Sequence, residues 1–354
     1  MGFTIQNPLP TAQEVLEKFP LDAATIQDVA RHRQEVKDII SGKDKRKLLI
    51  IGPCSAWRNE AVLEYAKKLK PLADKVEDRI KIVMRVYIQK PRTTVGWLGP
   101  VNQPDPFAEP DITSGIYYCR EMMVEIAKLG LPIADEALFT HNDSYFVDLI
   151  SWIAIGARST EDQEHRIFAS MIPHPVGLKN PTSGEIQKGV NSIVAAQYEH
   201  VFGFHGNQIK THGNPHAHLI LRGGNGEPNY DKASLQEAIN CLQKAKVQNP
   251  AILVDVSHDN SICPNAKSKK PCKQPEIIED VVNSMQSDEA INQHTKGFMV
   301  ESFLKEGKQA IKAGMTLSDL EYGQSITDGC LGWEETATMA VSYTHLTLPT
   351  IYSV

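Results

Sequence analysis

Short runs of apolar and β-branched residues recur along this chain, separated by longer stretches that are amphipathic or polar. The runs are Leu48–Gly52, Ile80–Val86, Leu131–Asp135, Trp152–Ala157, Pro175–Leu178, His218–Leu221, Ala251–Val256 and Gly297–Val300, eight in all. Between them, residues 59–74, 113–129, 160–171, 184–199, 231–246 and 274–291 read as helices. Alternating strand and helix predicts a parallel sheet with right-handed crossovers. Eight such units in one α/β chain point to closure into a (β/α)8 TIM barrel.

Three segments fall outside that rhythm. Residues 1–45 read as a polar, mostly helical arm, with Thr11 and Asp22 as candidate caps and Ile26, Val29, Val36, Ile39 and Ile40 near helical spacing. An apolar-striped helix lying outside a barrel needs a surface to cover, which points to oligomerisation. Residues 200–216 alternate in character and read as an inserted β-hairpin. The barrel is expected over 46–340. From Val341 the chain turns β-branched and contains Pro349, so it is expected not to continue the helix that starts near Trp333. Residues 341–354 therefore read as an atypical tail.

Composition narrows the class without changing the picture. The 354 residues are 41% hydrophobic and 23% charged, as in an average globular protein. A net charge of −6 argues against nucleic acid and anionic membranes as partners. The basic run Lys267–Lys273 has no interleaved aromatics and reads as a solvated loop. Six cysteines lack a C-x-x-C pair, and no apolar run reaches the ~18 residues of a membrane span. The first residues carry neither a basic nor an apolar leader region. A reducing cytoplasm is the expected setting.

The informative chemistry stands at the strand exits. In order they carry Cys54, Arg85, Glu136, Arg158, Lys179, Arg222, His258 and Glu301. Taken singly, Cys54 would be an inert buried thiol, His258 a satisfied core histidine, and each arginine an ion-pair partner. A barrel builds its active site at the C-terminal ends of its strands, so all eight would meet at one mouth. Cys54, His258, Glu301 and Asp328 then offer a thiolate, an imidazole and two carboxylates. That mixture suits Mn²⁺, Fe²⁺, Co²⁺ or Zn²⁺ better than Mg²⁺ or Ca²⁺. Arg85, Lys90, Arg92, Arg158, Lys179 and Arg222 form a cationic group that needs anions, and phosphate matches arginine forks. Gly223 and Gly224 would let backbone amides approach such a phosphate. A metal beside a phosphate cradle fits carbon–carbon bond formation at an aldehyde.

Several segments carry a resemblance to a known family: Gly52-Pro53-Cys54-Ser55, Met84-Arg85-Val86-Tyr87, Lys90-Pro91-Arg92-Thr93-Thr94-Val95-Gly96-Trp97, Gly156-Ala157-Arg158-Ser159-Thr160-Glu161 and Val176-Gly177-Leu178-Lys179-Asn180. Leu221-Arg222-Gly223-Gly224, Asp255-Val256-Ser257-His258, Met299-Val300-Glu301-Ser302 and Ser325-Ile326-Thr327-Asp328 continue it. The chain resembles the type I 3-deoxy-D-arabino-heptulosonate-7-phosphate synthases over roughly residues 10 to 340. That resemblance implies condensation of phosphoenolpyruvate with D-erythrose 4-phosphate and water, the first step of the shikimate pathway. It implies Cys54, His258, Glu301 and Asp328 as ligands of one divalent metal. Phosphoenolpyruvate would be held by Arg85, Lys90, Glu136, Gly156, Ala157, Arg158, Lys179 and Arg222, and erythrose 4-phosphate by Lys90, Pro91, Arg92 and Thr93. Lys90 or a water on the ion would protonate the new alkoxide, with Cys54 and His258 catalytic through the metal. A homodimer or homotetramer is implied as well. Two departures stand out: Pro173 where relatives commonly carry Ser, and Gln324 where a Lys usually precedes Ser-Ile-Thr-Asp.

Overall fold

The computed structural model describes residues 2–204, 206–263, 268–312 and 314–346. Its first five strands are β1 (Lys47–Gly52), β2 (Ile80–Arg85), β3 (Ile133–Ala137), β4 (Ile150–Ile155) and β5 (Val176–Lys179). A hairpin of β6 (Val201–Phe204) and β7 (Asn207–Lys210) follows. Next come β8 (Ala217–Leu221) and β9 (Ile252–Asp255), then a small antiparallel pair, β10 (Ile262–Cys263) and β11 (Ser268–Lys269). The last strand is β12 (Thr295–Glu301). The eight strands outside the two hairpins close into one parallel barrel in the order β1-β12-β9-β8-β5-β4-β3-β2. Every apolar run read from the sequence is a barrel strand, and the insertion at 200–216 is the hairpin expected there.

Helices α1 (Ala12–Lys18) and α2 (Ala23–Ser41) precede the barrel, and α3 (Asn59–Val76), α4 (Ile112–Lys128), α5 (Gln163–Met171), α6 (Ile186–Gln197) and α7 (Lys232–Lys244) pack around it. The ring is completed by α8 (Gln274–Ser287), α9 (Glu289–His294) and α10 (Trp333–Leu346). The stretch 274–291, expected as one helix, breaks at Asp288. Its backbone turns extended, and its carboxylate accepts from Ala290 N at 3.1 Å to start α9. None of the described helices is long and apolar enough to cross a membrane.

The N-terminal arm corrects one expectation. Thr11 and Asp22 do cap α1 and α2, as their sequence positions predict. Yet the apolar stripe of α2 meets this chain's own barrel, not another subunit. Val36, Ile39 and Ile40 are buried in one cluster with the barrel-lining Leu48, Ile50, Val83, Trp152 and Met299. Each such side chain contributes about 1.5–3 kcal/mol by leaving water. Arg33 adds hydrogen bonds to Ile150 O (2.7 Å) at the start of β4 and to Val147 O (3.1 Å) in the turn before it. Helix α2 is thus a plug against the barrel, and its stripe supplies no argument for oligomerisation. Only Ile26 of that stripe is exposed, at 54%.

The C-terminal expectation also fails in part. Helix α10 passes through Val341 as far as Leu346, the last described residue. Tyr343 is buried, its ring edge-on to Phe298 with centroids 5.1 Å apart. The low helix propensity of Val341 and Thr344 amounts to tenths of a kcal/mol each, which burial of an aromatic ring outweighs. Pro349, on which the expected break rested, lies outside the described residues.

Candidate active site

Each barrel strand runs C-terminally toward one end, so the exits share a single mouth. A cavity of about 830 Å³ opens there, lined by Cys54, Lys90, Glu136, Arg158, Lys179, Arg222, His258 and Asp328 among others. Gly156, Ala157, Pro91, Arg92 and Thr93 line it too. Arg85 and Glu301, at the ends of β2 and β12, are almost wholly buried. They pair with each other through Arg85 Nη2 and Glu301 Oε1 at 3.1 Å.

The sulfur of Cys54 and a carboxylate oxygen from each of Glu301 and Asp328 lie within 4.8 Å of one another. One thiol and two carboxylates at that spacing fit a borderline divalent ion. Burial pushes the Cys54 thiol above its ordinary value, and the neighbouring Glu301 adds to this. Burial opposes ionisation of Asp328 as well, but Lys269, His258 and Lys90 around it hold its carboxyl well below the usual range.

His258 lines the same cavity but lies outside that three-ligand cluster. Its Nδ1 is 2.8 Å from both Asp255 Oδ2 and Ser257 Oγ, so a carboxylate orients the ring. Such a carboxylate–histidine pair is the usual outer support of a metal-bound imidazole. Burial lowers the imidazole pKa, with Lys179 helping and Asp255 opposing. The neutral ring is the form that can donate a lone pair to an ion. The backbone of His258 sits at φ 53°, a left-handed conformation that a non-glycine residue adopts at some cost.

The cations are arranged around this corner. Lys90 Nζ donates to Cys54 O at 2.7 Å and lies 3.3 Å from Cys54 Sγ. Burial works against its charge, yet Cys54, Glu136 and Glu301 together raise its pKa. Lys179 sits between Asp255 Oδ2 (3.2 Å) and Glu136 Oε2 (3.8 Å). Arg222 pairs with Asp259 Oδ2 at 3.2 Å. Arg158, more exposed, donates to Thr93 Oγ1 at 2.8 Å, tying the β4 exit to the 90–97 loop. Gly156 has a steric reason to be glycine: a Cβ there would lie 2.6 Å from Glu136 Oε1.

Two sequence readings fall here. The amides of Gly223 and Gly224 are not turned to a ligand. Gly223 N donates to Asn229 Oδ1 (2.7 Å) and Gly224 N to Glu227 O (2.9 Å), so both serve the loop. The basic run is also more than a solvated loop. Lys269 on β11 lines the cavity and pairs with Asp328 Oδ2 at 3.2 Å; Lys267 lies outside the described residues. Gln324, for its part, donates to Glu306 O at 2.8 Å and does not line the cavity.

Asp255 and Lys308 were missed. Asp255 had a signal, a carboxylate inside the apolar run Ala251–Val256, because a buried charge must find a partner. Lys308 lines the cavity from a loop that carries no sequence signal.

Comparison with known proteins gives the family and the fold. Residues 19–341 match the model of the DAHP synthetase I family. The Tyr-sensitive phospho-2-dehydro-3-deoxyheptonate aldolase of Salmonella typhimurium is 40% identical over 340 residues, covering 94% of this chain and 91% of that protein. The Phe-sensitive enzyme of Escherichia coli K12 is 42% identical over 328 residues, covering 91% and 89%. The solved structure of phospho-2-dehydro-3-deoxyheptonate aldolase from Francisella tularensis superimposes with a TM-score of 0.90 at 34% identity, over 98% of this chain and 99% of that one.

Proposed function

The chain belongs to the DAHP synthetase I family, and on that footing we propose how its own residues run the reaction. It is a 3-deoxy-7-phosphoheptulonate synthase. It condenses phosphoenolpyruvate with D-erythrose 4-phosphate and water to 3-deoxy-D-arabino-heptulosonate 7-phosphate and inorganic phosphate. This is the first step of the shikimate pathway to chorismate and the aromatic amino acids.

The observation that carries the site assignment is the cluster of Cys54, Glu301 and Asp328 beside Lys90, in a cavity also lined by Arg158, Lys179 and Arg222. Those three ligands, with His258, would hold one divalent ion, Mn²⁺, Fe²⁺, Co²⁺ or Zn²⁺. Such an ion would supply Lewis-acid polarisation of the aldehyde oxygen. Lys90, Arg158, Lys179 and Arg222, which line the cavity, grip the phosphate and carboxylate of phosphoenolpyruvate, with the buried Arg85 behind them and Glu136, Gly156 and Ala157 shaping that pocket. Pro91, Arg92 and Thr93, with Lys90, seat erythrose 4-phosphate. Held in register, C3 of the enol attacks the aldehyde carbon, water adds at C2, and phosphate leaves with C–O cleavage. Lys90 is charged and reaches both substrates, so it is the residue to pass a proton to the new alkoxide.

Six free cysteines support a reducing cytoplasm as the setting. Assembly as a homodimer or homotetramer is part of the proposal, with exposed Phe3 and Ile5 available for contact; their removal should lower the molecular mass seen by light scattering. The reaction itself is tested by phosphate release from phosphoenolpyruvate, with erythrose 4-phosphate, arabinose 5-phosphate and no aldose compared. Each is measured before and after chelation. Release that ignores the aldose, or survives full metal removal, would overturn the reading.

A further inference from the structure

Among the described residues, Tyr87 is the aromatic ring against which two cations of the site lie. It follows β2 by two residues and points into the barrel, buried in the cluster that contains Leu48, Trp152 and Met299. The Arg85 guanidinium carbon lies 4.2 Å from its ring centroid, and Lys90 Nζ lies 5.7 Å from it. Its hydroxyl is buried with no hydrogen-bond partner, so the hydroxyl does not explain why a tyrosine stands here. The ring does. Arg85 and Lys90 are like charges gathered at one corner; Glu301 pairs with Arg85, and the Tyr87 ring adds an attraction that both cations share. A ring face carries negative electrostatic potential and attracts cations within about 6 Å, more strongly where water is excluded.

We propose that Tyr87 is a positioning residue: its ring is a platform that holds Arg85 and Lys90 converged for phosphoenolpyruvate, while its hydroxyl takes no part. The inference rests on the reading that Lys90, with Arg85 behind it, grips phosphoenolpyruvate. The benefit is preorganisation, since the substrate then meets cations already placed. Tyr87 lines no part of the cavity; of its two cations Lys90 lines it and Arg85 is fully buried, so the ring acts only through them.

The test separates ring electrostatics from packing. Tyr87→Phe, and then 3,5-difluoro- and pentafluorophenylalanine installed at the same position, keep the shape while draining the ring's negative face. Phosphoenolpyruvate binding to the metal-loaded full chain is measured by calorimetry, alongside melting temperature and steady-state kinetics. The phenylalanine variant is expected to bind within about twofold of wild type. Affinity should then fall stepwise, by about tenfold at pentafluorophenylalanine, with melting temperatures nearly level. A flat fluorination series, or a tenfold loss already at Tyr87→Phe, overturns the platform. Absence of binding by the wild-type protein would instead overturn the substrate reading beneath it.

Discussion

Lys90 binds the residue it would have to cooperate with: its ammonium holds the carbonyl of Cys54 at 2.7 Å and faces that residue's sulfur at 3.3 Å. The contact joins the loops that leave β1 and β2, so the thiol and the proposed proton donor are fixed relative to each other. Catalysis by proton transfer needs that fixity, because a misplaced donor loses its effect within about an ångström.

Replacing Cys54 tests the metal corner directly. Cys54→Ala should leave the barrel folded, since the thiol is small and sits at the rim of the core. It should abolish stoichiometric metal retention on desalting and lower turnover by about a hundredfold or more, as loss of Lewis-acid stabilisation is worth several kcal/mol. Elemental analysis of the desalted protein and a phosphate-release assay check both. Full activity in a metal-free Cys54→Ala protein would remove the thiol from the site.

Gly156→Ala probes the pocket wall. The added methyl would lie 2.6 Å from Glu136 Oε1, and Glu136 is one of two carboxylates beside Lys179. Overpacking of this kind costs about 1–3 kcal/mol. If Glu136 yields, the damage falls on phosphoenolpyruvate binding, so the KM for that substrate should rise about tenfold while the KM for erythrose 4-phosphate stays level. Equal changes in both would mean that the methyl is disturbing the barrel at large.

Lys269 should weaken metal binding by competing for Asp328, which it reaches at 3.2 Å. Lys269→Met removes the competitor, and the apparent metal dissociation constant should fall. Both partners are more than a third exposed, so the gain is small, less than about fivefold. Titration against a metal-chelating dye reads it. A weaker site in Lys269→Met would mean that the ammonium steadies the carboxylate and does not rival the ion.

Much of the fold was legible because a strand buried on both faces must be apolar along its length, as Leu48–Gly52 and Ala251–Val256 are. Six of the eight exits line the cavity because barrel geometry gathers what stands there, while Arg85 and Glu301 are buried and pair with each other. What escaped depended on partners distant in sequence. The stripe on α2 is visible in the sequence, but not that Leu48 and Trp152 would cover it. Gly223 and Gly224 look free until Asn229 and Glu227 are seen to take their amides. Lys269 looks solvated until the hairpin folds it back onto Asp328.

Asp135 makes stability depend on pH in a calculable direction. It stands beside Glu136 on β3, and its Oδ1 accepts from Glu136 N at 2.8 Å and Ile88 N at 3.2 Å. Burial outweighs those hydrogen bonds and pushes its pKa up to about 8. In the unfolded chain the value is about 3.9. Between these limits the folded protein keeps a proton that the unfolded chain has released, so stability falls as pH rises. The slope approaches 1.4 kcal/mol per pH unit at most, roughly from pH 5 to pH 7, and levels off above about 8. Asp135→Asn cannot ionise and keeps an oxygen for both amides, so it should be more stable than wild type at pH 8 and nearly equal to it at pH 4. Urea denaturation of both proteins at pH 5, 6, 7 and 8 reads the difference. If the two stability curves run parallel across that range, Asp135 is not holding the proton.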